Sequence, residues 1–245
     1  MIKFHVLTLF PNLMESFSNT SIIKKGLEKK AFEINIKDIR ENAINRYGQV
    51  DDLPYGGGPG MVLRPEPIIN TYNSLNLGDK NKICIYFSPK GRKITNSYII
   101  DLTKFHNIVL ISGHYEGIDQ RVIDLIVDEE VSLGDFVLTG GEIPTMALID
   151  AVSRHIDDVI KKESLQEESF TGNLLEYRHY TRPKEYMGLN VPEVLMSGNH
   201  KEIYEYRLFD SVNETLNKRP DLIANNKYSE KINKIIKSIK EGKKI

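Results

Sequence analysis

At 245 residues the chain is long for one domain and short for three, and its 40% apolar and 27% charged residues suit a sizeable core under a soluble surface. Lys plus Arg is 33 against 34 Asp plus Glu; this formal net charge of −1 argues against a general nucleic-acid-coating protein but leaves room for a local basic patch. The single cysteine excludes an intramolecular disulfide framework and a Cys-based zinc cluster, and no uncharged apolar run approaches the roughly 18 residues of a membrane span.

In chain order, Ile2 to Phe10 (IKFHVLTLF) alternates apolar and other residues as a half-buried strand does. Pro11 and Glu15 follow without a small-residue cleavage site, so a soluble, cytoplasmic protein is expected. Phe32 to Ile36 (FEINI) predicts a second strand. Tyr55-Gly56-Gly57-Gly58-Pro59-Gly60-Met61 follows the acidic pair Asp51-Asp52, a flank that disfavours a dedicated phosphate cradle. Lys82 to Phe87 and Asn107 to Ser112 are short β-rich runs suited to a buried parallel sheet, and Ile94 to Phe105 between them reads as a helix. A further helix starts after Gly140-Gly141, with Pro144 in its first turn and a stripe of Ala147, Leu148, Ala151 and Val152. Lys161 to Thr171 (KKESLQEESFT) is polar and predicts a linker. Beyond it Val212 to Ile223 and Lys231 to Lys240 read as helices, the second with an isoleucine stripe at 232, 235, 236 and 239. Strands alternating with helices imply an α/β layered fold.

Charge divides at the same linker. Residues 1–160 carry 17 Lys/Arg against 21 Asp/Glu, whereas residues 161–245 carry 16 against 13. The expected organisation is a large α/β domain over 1–160, a linker over 161–171 and a small, basic, helical C-terminal domain over 172–245.

Three glycine-containing turns follow strand-like runs: Ser88 to Gly91, Ser112 to Gly117 and Leu138 to Glu142. In open α/β sheets, ligands bind where loops leave the carboxyl ends of strands, and glycine lets backbone approach a ligand closely. Any one such turn is ordinary; three in one domain point to a pocket. None matches a dinucleotide or nucleoside-triphosphate fingerprint. The histidines at 5, 106, 114, 155, 179 and 200 lack metal-ligand spacing, so no metal site is expected and most should be surface or capping residues. Cys84 reads as a buried small hydrophobe, and Asp101, Asp124 and Asp150 as solvated helix positions.

Taken together, Asp51 to Met61 (DDLPYGGGPGM), Gly113 to Asp119 (GHYEGID), Ser132 to Glu142 (SLGDFVLTGGE), Ile149 to Arg154 (IDAVSR), His179 to Pro183 (HYTRP) and Val191 to His200 (VPEVLMSGNH) resemble, in this order, the bacterial tRNA (guanine-N1)-methyltransferase family. The resemblance runs from about Lys3 to Pro220. It implies a SPOUT fold: a deep trefoil knot in the parallel-sheet domain, a rare exception to unknotted topology. It also implies a homodimer and methyl transfer from S-adenosylmethionine to N1 of guanosine 37, just 3′ of the tRNA anticodon.

By the same resemblance, the cofactor residues are Tyr86, Phe87, Ser88 and Pro89; Gly113, Tyr115, Glu116 and Gly117; Leu133, Gly134, Asp135, Phe136, Val137 and Leu138; and Gly140, Gly141 and Pro144. The catalytic pair is Arg154, in IDAVSR, and Glu168, in EESF. The residue types suit the chemistry: a carboxylate takes the guanine N1 proton, and a permanently cationic, planar guanidinium meets the charge that develops on O6. Read without the resemblance, Arg154 is a helix C-terminal charge and Glu168 a solvated linker residue.

Two departures stand out. Glu168 occupies a position where the family commonly has Asp, moving the carboxylate by about 1.5 Å on an unchanged backbone. Tyr206 stands where a tryptophan is usual, followed by the matching Arg207. Two other readings stay open at this point: a methyltransferase of the same fold acting on another RNA atom, such as a ribose 2′-oxygen, and a non-catalytic RNA-binding factor. A Mg²⁺ requirement has no dedicated site assigned to it.

Overall fold

The computed structural model describes residues 1–78, 81–161 and 167–242. The chain forms two compact units, Met1–Lys161 and Lys162–Ile245.

The first unit runs β1 (Ile2–Thr8), α1 (Pro11–Ser18), α2 (Ser21–Glu28), β2 (Phe32–Asp38), the short antiparallel pair β3 (Asp51–Asp52) and β4 (Val62–Leu63), α3 (Pro65–Ser74), β5 (Lys82–Lys93), α4 (Asn96–Leu102), β6 (Asn107–Ile111), α5 (Gln120–Ile126), β7 (Glu129–Ser132) and α6 (Glu142–Ser153). The main sheet has the order β2-β1-β6-β5-β7 and every pairing in it is parallel, so all five strands end on one edge.

Both faces of this sheet are covered, which is why its strands are apolar runs. On one face Phe4, Val6, Ile85, Ile108 and Leu110 pack with Met14, Ile23, Leu102, Leu148 and Val152 from the helices. On the other, Leu7, Cys84, Tyr86, Val109 and Ile111 pack with Ile39, Ile68 and Val122. Period-two alternation along β5, with Ile83, Ile85 and Phe87 opposed to Cys84 and Tyr86, sets the two faces. Cys84 is 1% exposed; burial pushes its thiol far above the usual range, and its backbone N–H donates to Asp128 Oδ2 at 2.7 Å.

Several elements differ from the expectation. β5 continues past Phe87 to Lys93, but both Phe87 and Arg92 oppose Val131, so Ser88–Gly91 loops out of register. A Cβ on Gly91 would lie 2.4 Å from Val131 N, which explains the glycine where the returning strand closes on its neighbour. On α6 the buried face is Pro144, Thr145, Leu148, Ile149 and Val152, while Ala147 is exposed and Ala151 only half-buried. That helix is apolar nearly all round, so alanine periodicity is a poor guide to its inner face.

In the second unit a short turn at Thr171–Asn173 is followed by the hairpin β8 (Glu185–Tyr186) and β9 (Leu189–Asn190), then α7 (His200–Lys218), α8 (Pro220–Asn225) and α9 (Glu230–Lys240). The single helix expected over Val212 to Ile223 is two: α7 ends at Lys218 and Pro220 opens α8. α7 begins earlier than its apolar pattern suggests because Asn199 Oδ1 caps the Lys201 and Glu202 N–H groups. Of the expected linker, residues 162–166 lie outside the described residues. Among the described residues no helix is long and apolar enough to cross a membrane.

Candidate active site

At the carboxyl edge of β5, β6 and β7 three loops enclose a cleft of about 220 Å³. The first contributes Tyr86, Phe87, Ser88 and Pro89, the second the whole of Gly113–Gly117, and the third the residues from Val131 to Gly141 other than Asp135; Pro144 of α6 completes it. Every cofactor candidate but Asp135 lines this cleft. The Asp135 carboxylate instead takes Lys93 Nζ at 2.5 Å on the exposed surface.

The second and third loops are fastened together through backbone. Gly141 N–H donates to Gly113 C=O at 2.7 Å, and His114 and Gly140 form a β-bridge. A Cβ on Gly141 would lie 2.7 Å from Ser112 Cα and 2.8 Å from Gly113 N, so no larger residue fits that crossing unshifted. Beneath it Ser112 Oγ and Thr145 Oγ1 share a buried hydrogen bond of 2.8 Å.

Tyr86 forms the floor. It is 7% exposed, and burial raises its phenol above the ordinary value, keeping it a neutral hydrogen-bond donor. The second loop is pinned from outside: Glu116 N–H donates to Met61 C=O at 3.0 Å and Leu63 N–H to Gly117 C=O at 2.9 Å. A Cβ on Gly60 would meet Glu116 Cγ at 2.5 Å, so the end of the Gly56–Gly60 segment abuts this wall. Its start is open, with positive φ at Gly56, Gly57 and Gly58 and Tyr55 fully exposed.

Behind the cleft Glu142 is buried, its Oε1 accepting from Thr8 Oγ1 at 2.8 Å and its Oε2 lying 3.9 Å from His114 Nε2. His114, Val131, Ser132 and Thr139 line the cleft without having been among the cofactor candidates, although His114 and Thr139 stand in the glycine turns expected to form a pocket and Ser132 opens the third quoted motif. His114 and Thr139 sit between cofactor candidates, so contiguity was the available signal. Val131 and Ser132 end a strand too short and acidic to read. The other notable histidine is His5, buried in the sheet rather than at the surface.

The catalytic candidates lie on different units. Arg154 is the half-buried C-cap of α6, its N–H donating to Asp150 C=O at 3.3 Å. Glu168 is half-buried, and its C=O accepts from Thr171 N–H at 3.1 Å. It lines a second cleft of about 350 Å³, within its own unit, with Glu167, Tyr177, Tyr204 and Arg207. Among the described residues no cluster of three or more His, Cys, Asp or Glu is arranged to hold a metal ion.

A family model described as tRNA (Guanine-1)-methyltransferase TrmD matches residues 2–225. The chain is 48% identical over 224 residues to a tRNA (guanine-N(1)-)-methyltransferase of Clostridioides difficile, covering 90% of this chain and 97% of that one. It is 48% identical over 235 residues to the protein of that name from Caldicellulosiruptor saccharolyticus, covering 96% of each. With the one from Staphylococcus aureus it shares 43% identity over 244 residues and 99% of both chains.

Proposed function

The chain belongs to the tRNA (guanine-1)-methyltransferase family, and from that premise we propose that it transfers a methyl group from S-adenosylmethionine to N1 of guanosine 37, the nucleotide 3′ of the tRNA anticodon. The observation that carries the proposal is the convergence of three separate loops on one cleft at the carboxyl edge of the sheet. The fit to the cofactor is chemical. Backbone N–H and C=O groups of Leu133–Leu138 suit the edge of an adenine, the apolar walls suit its ring, and the Glu116 carboxylate suits a cationic methionyl portion. When bound, S-adenosylmethionine supplies an electrophilic methyl group.

The chain's own residues do the rest. Glu168 accepts the N1 proton and so turns a poor nucleophile into a good one. Arg154 faces O6, where the negative charge then accumulates, with a donor fork that cannot lose its proton. By the family resemblance, the reading includes a homodimer in which Arg154 of one subunit meets the partner subunit's Glu168. It also includes a trefoil knot through the cleft loops, a tRNA-binding role for residues 172–245 and a cytoplasmic location. A Mg²⁺ dependence has no residue assigned to it.

Nuclease digestion and mass spectrometry of tRNA treated with enzyme and cofactor test the proposal. N1-methylguanosine at position 37 is the expected product. A ribose 2′-O-methyl group, or no modification at all, would overturn it in favour of another RNA methyltransferase or a binding factor.

A further inference from the structure

The positive balance of residues 161–245 has a structural focus. A cleft of about 560 Å³ in the second unit is lined by Arg178, Arg182, Lys184 and Arg207, with His179 and Tyr180 beside them and Leu195 and Ile203 in its apolar wall. Among the described residues that line it there is no Asp or Glu, in a chain where acidic residues outnumber basic ones.

The cations differ in how they are held. Arg178 is fixed from behind by Asp210, which is 2% exposed. Its Nε donates to Oδ1 at 3.0 Å and Oδ2 at 3.1 Å, its Nη2 also donates to Oδ1, and its backbone N–H donates to Oδ2 at 2.8 Å. Glu214 stands 3.7 Å from the same Nε. Nη1 has no hydrogen-bond partner among the described residues, so the guanidinium keeps a donor edge in a plane fixed before any ligand arrives. Arg182 and Lys184 form no ion pair among the described residues, and both are exposed. Arg207 lies over the Tyr177 ring at 4.6 Å and 3.6 Å from Glu167, and acts as wall rather than ligand.

We propose that this cleft anchors the phosphodiester backbone of the tRNA, with Arg178, Arg182 and Lys184 as phosphate ligands and the exposed His179 and Tyr180 rings against the adjoining sugar or base. The proposal rests on the reading of tRNA as substrate and adds the surface that holds it. A phosphate fits better than a base edge: a guanidinium fork matches phosphate oxygens, while the described lining residues include no carboxylate to accept from base amino groups. Exposed rings beside cations favour nucleic acid over an acidic peptide, because bases and sugars stack where carboxylates do not.

The test measures binding of unmodified tRNA transcript to the full-length protein as salt is varied. The exposed pair Arg182→Ala/Lys184→Ala is expected to weaken binding about tenfold, alike for different tRNA sequences, and to lower the log–log salt slope by about 2. Calorimetric affinity for S-adenosylmethionine should stay unchanged, and KM for tRNA should rise while kcat at saturating tRNA holds. Arg178→Lys, which keeps the charge and loses the fork, should weaken binding severalfold. Unchanged affinity and slope in the double variant would overturn the proposal, and unchanged affinity with an altered sedimentation state would give the cleft to a protein contact instead. Binding is measured without catalysis, so failure of the wild-type protein to methylate guanine N1 would count against the substrate reading and not against the cleft.

Discussion

The carbon that Gly141 lacks would collide with Ser112 and Gly113 backbone, and backbone cannot swing aside as a side chain does. The glycine therefore serves the protein's own loop crossing first and any ligand second. Gly141→Ala is expected to cost about 1–3 kcal/mol of stability through overpacking, read as a lowered melting temperature. It should also weaken S-adenosylmethionine binding, because the Gly141-to-Gly113 hydrogen bond joins two walls of the cleft. Calorimetry that finds affinity intact in the destabilised variant would remove this crossing from the cofactor site. The glycine itself was legible in the sequence, as one of three turns after strands; its neighbour across the crossing was not, since local pattern says nothing of which loops meet. Arg154 and Glu168 were legible only through resemblance, because an arginine ending a helix and a glutamate in a polar run are ordinary residues.

Among the elements, β1 is held on both sides by more than its ladder. His5 is 5% exposed; Nδ1 accepts from Asn35 Nδ2 of β2 at 3.3 Å, and Nε2 donates to Asn107 Oδ1 of β6 at 3.0 Å. Such an arrangement suits the neutral ring, since a proton on Nδ1 would face a donor. Burial is the main cause holding His5 below its ordinary 6.5, the Asn107 bond opposes it, and Lys3 and Lys37 lower it while Glu33 raises it. With the folded value lowered, the unfolded chain takes up the proton first, so His5's contribution is complete above pH 6.5 and is lost as pH falls from there towards the folded value. Thermal melts from neutral pH down to about pH 5 should show a shallower loss for His5→Gln than for the wild type; equal slopes would sink the assignment. The strands carrying such groups read clearly from alternation. β7 did not, since Glu129 and Glu130 fill half of four residues, nor did the start of α7, where a cap and polar residues precede the apolar face. The Ser88–Gly91 departure from register was also unreadable, because it depends on the partner strand.

At the scale of the whole molecule, the two units divide the proposed labour, and the charge division at the linker foreshadowed where the cations gather. If Arg154 works with the partner subunit's Glu168, a mixed dimer of Arg154→Ala with Glu168→Ala has one site lacking both residues and one retaining both. Two-site counting then returns about half the wild-type activity, although each variant homodimer is nearly inactive. Were the pair to work within one subunit, every site would lack a residue and activity would stay at the variant level. Purified mixed dimers, with exchange confirmed by mass and methylation of guanine N1 assayed, decide between the two.

The burial of Cys84 has a practical side. It is the only cysteine in a chain without tryptophan, and its thiol is sealed in the sheet with its pKa pushed far up. The native protein is therefore nearly blank to thiol-directed dyes and to indole fluorescence. A cysteine introduced on each unit would take a donor and an acceptor with no native residue to remove first. Distances between the first unit and its basic companion then become readable in solution, as tRNA arrives and leaves.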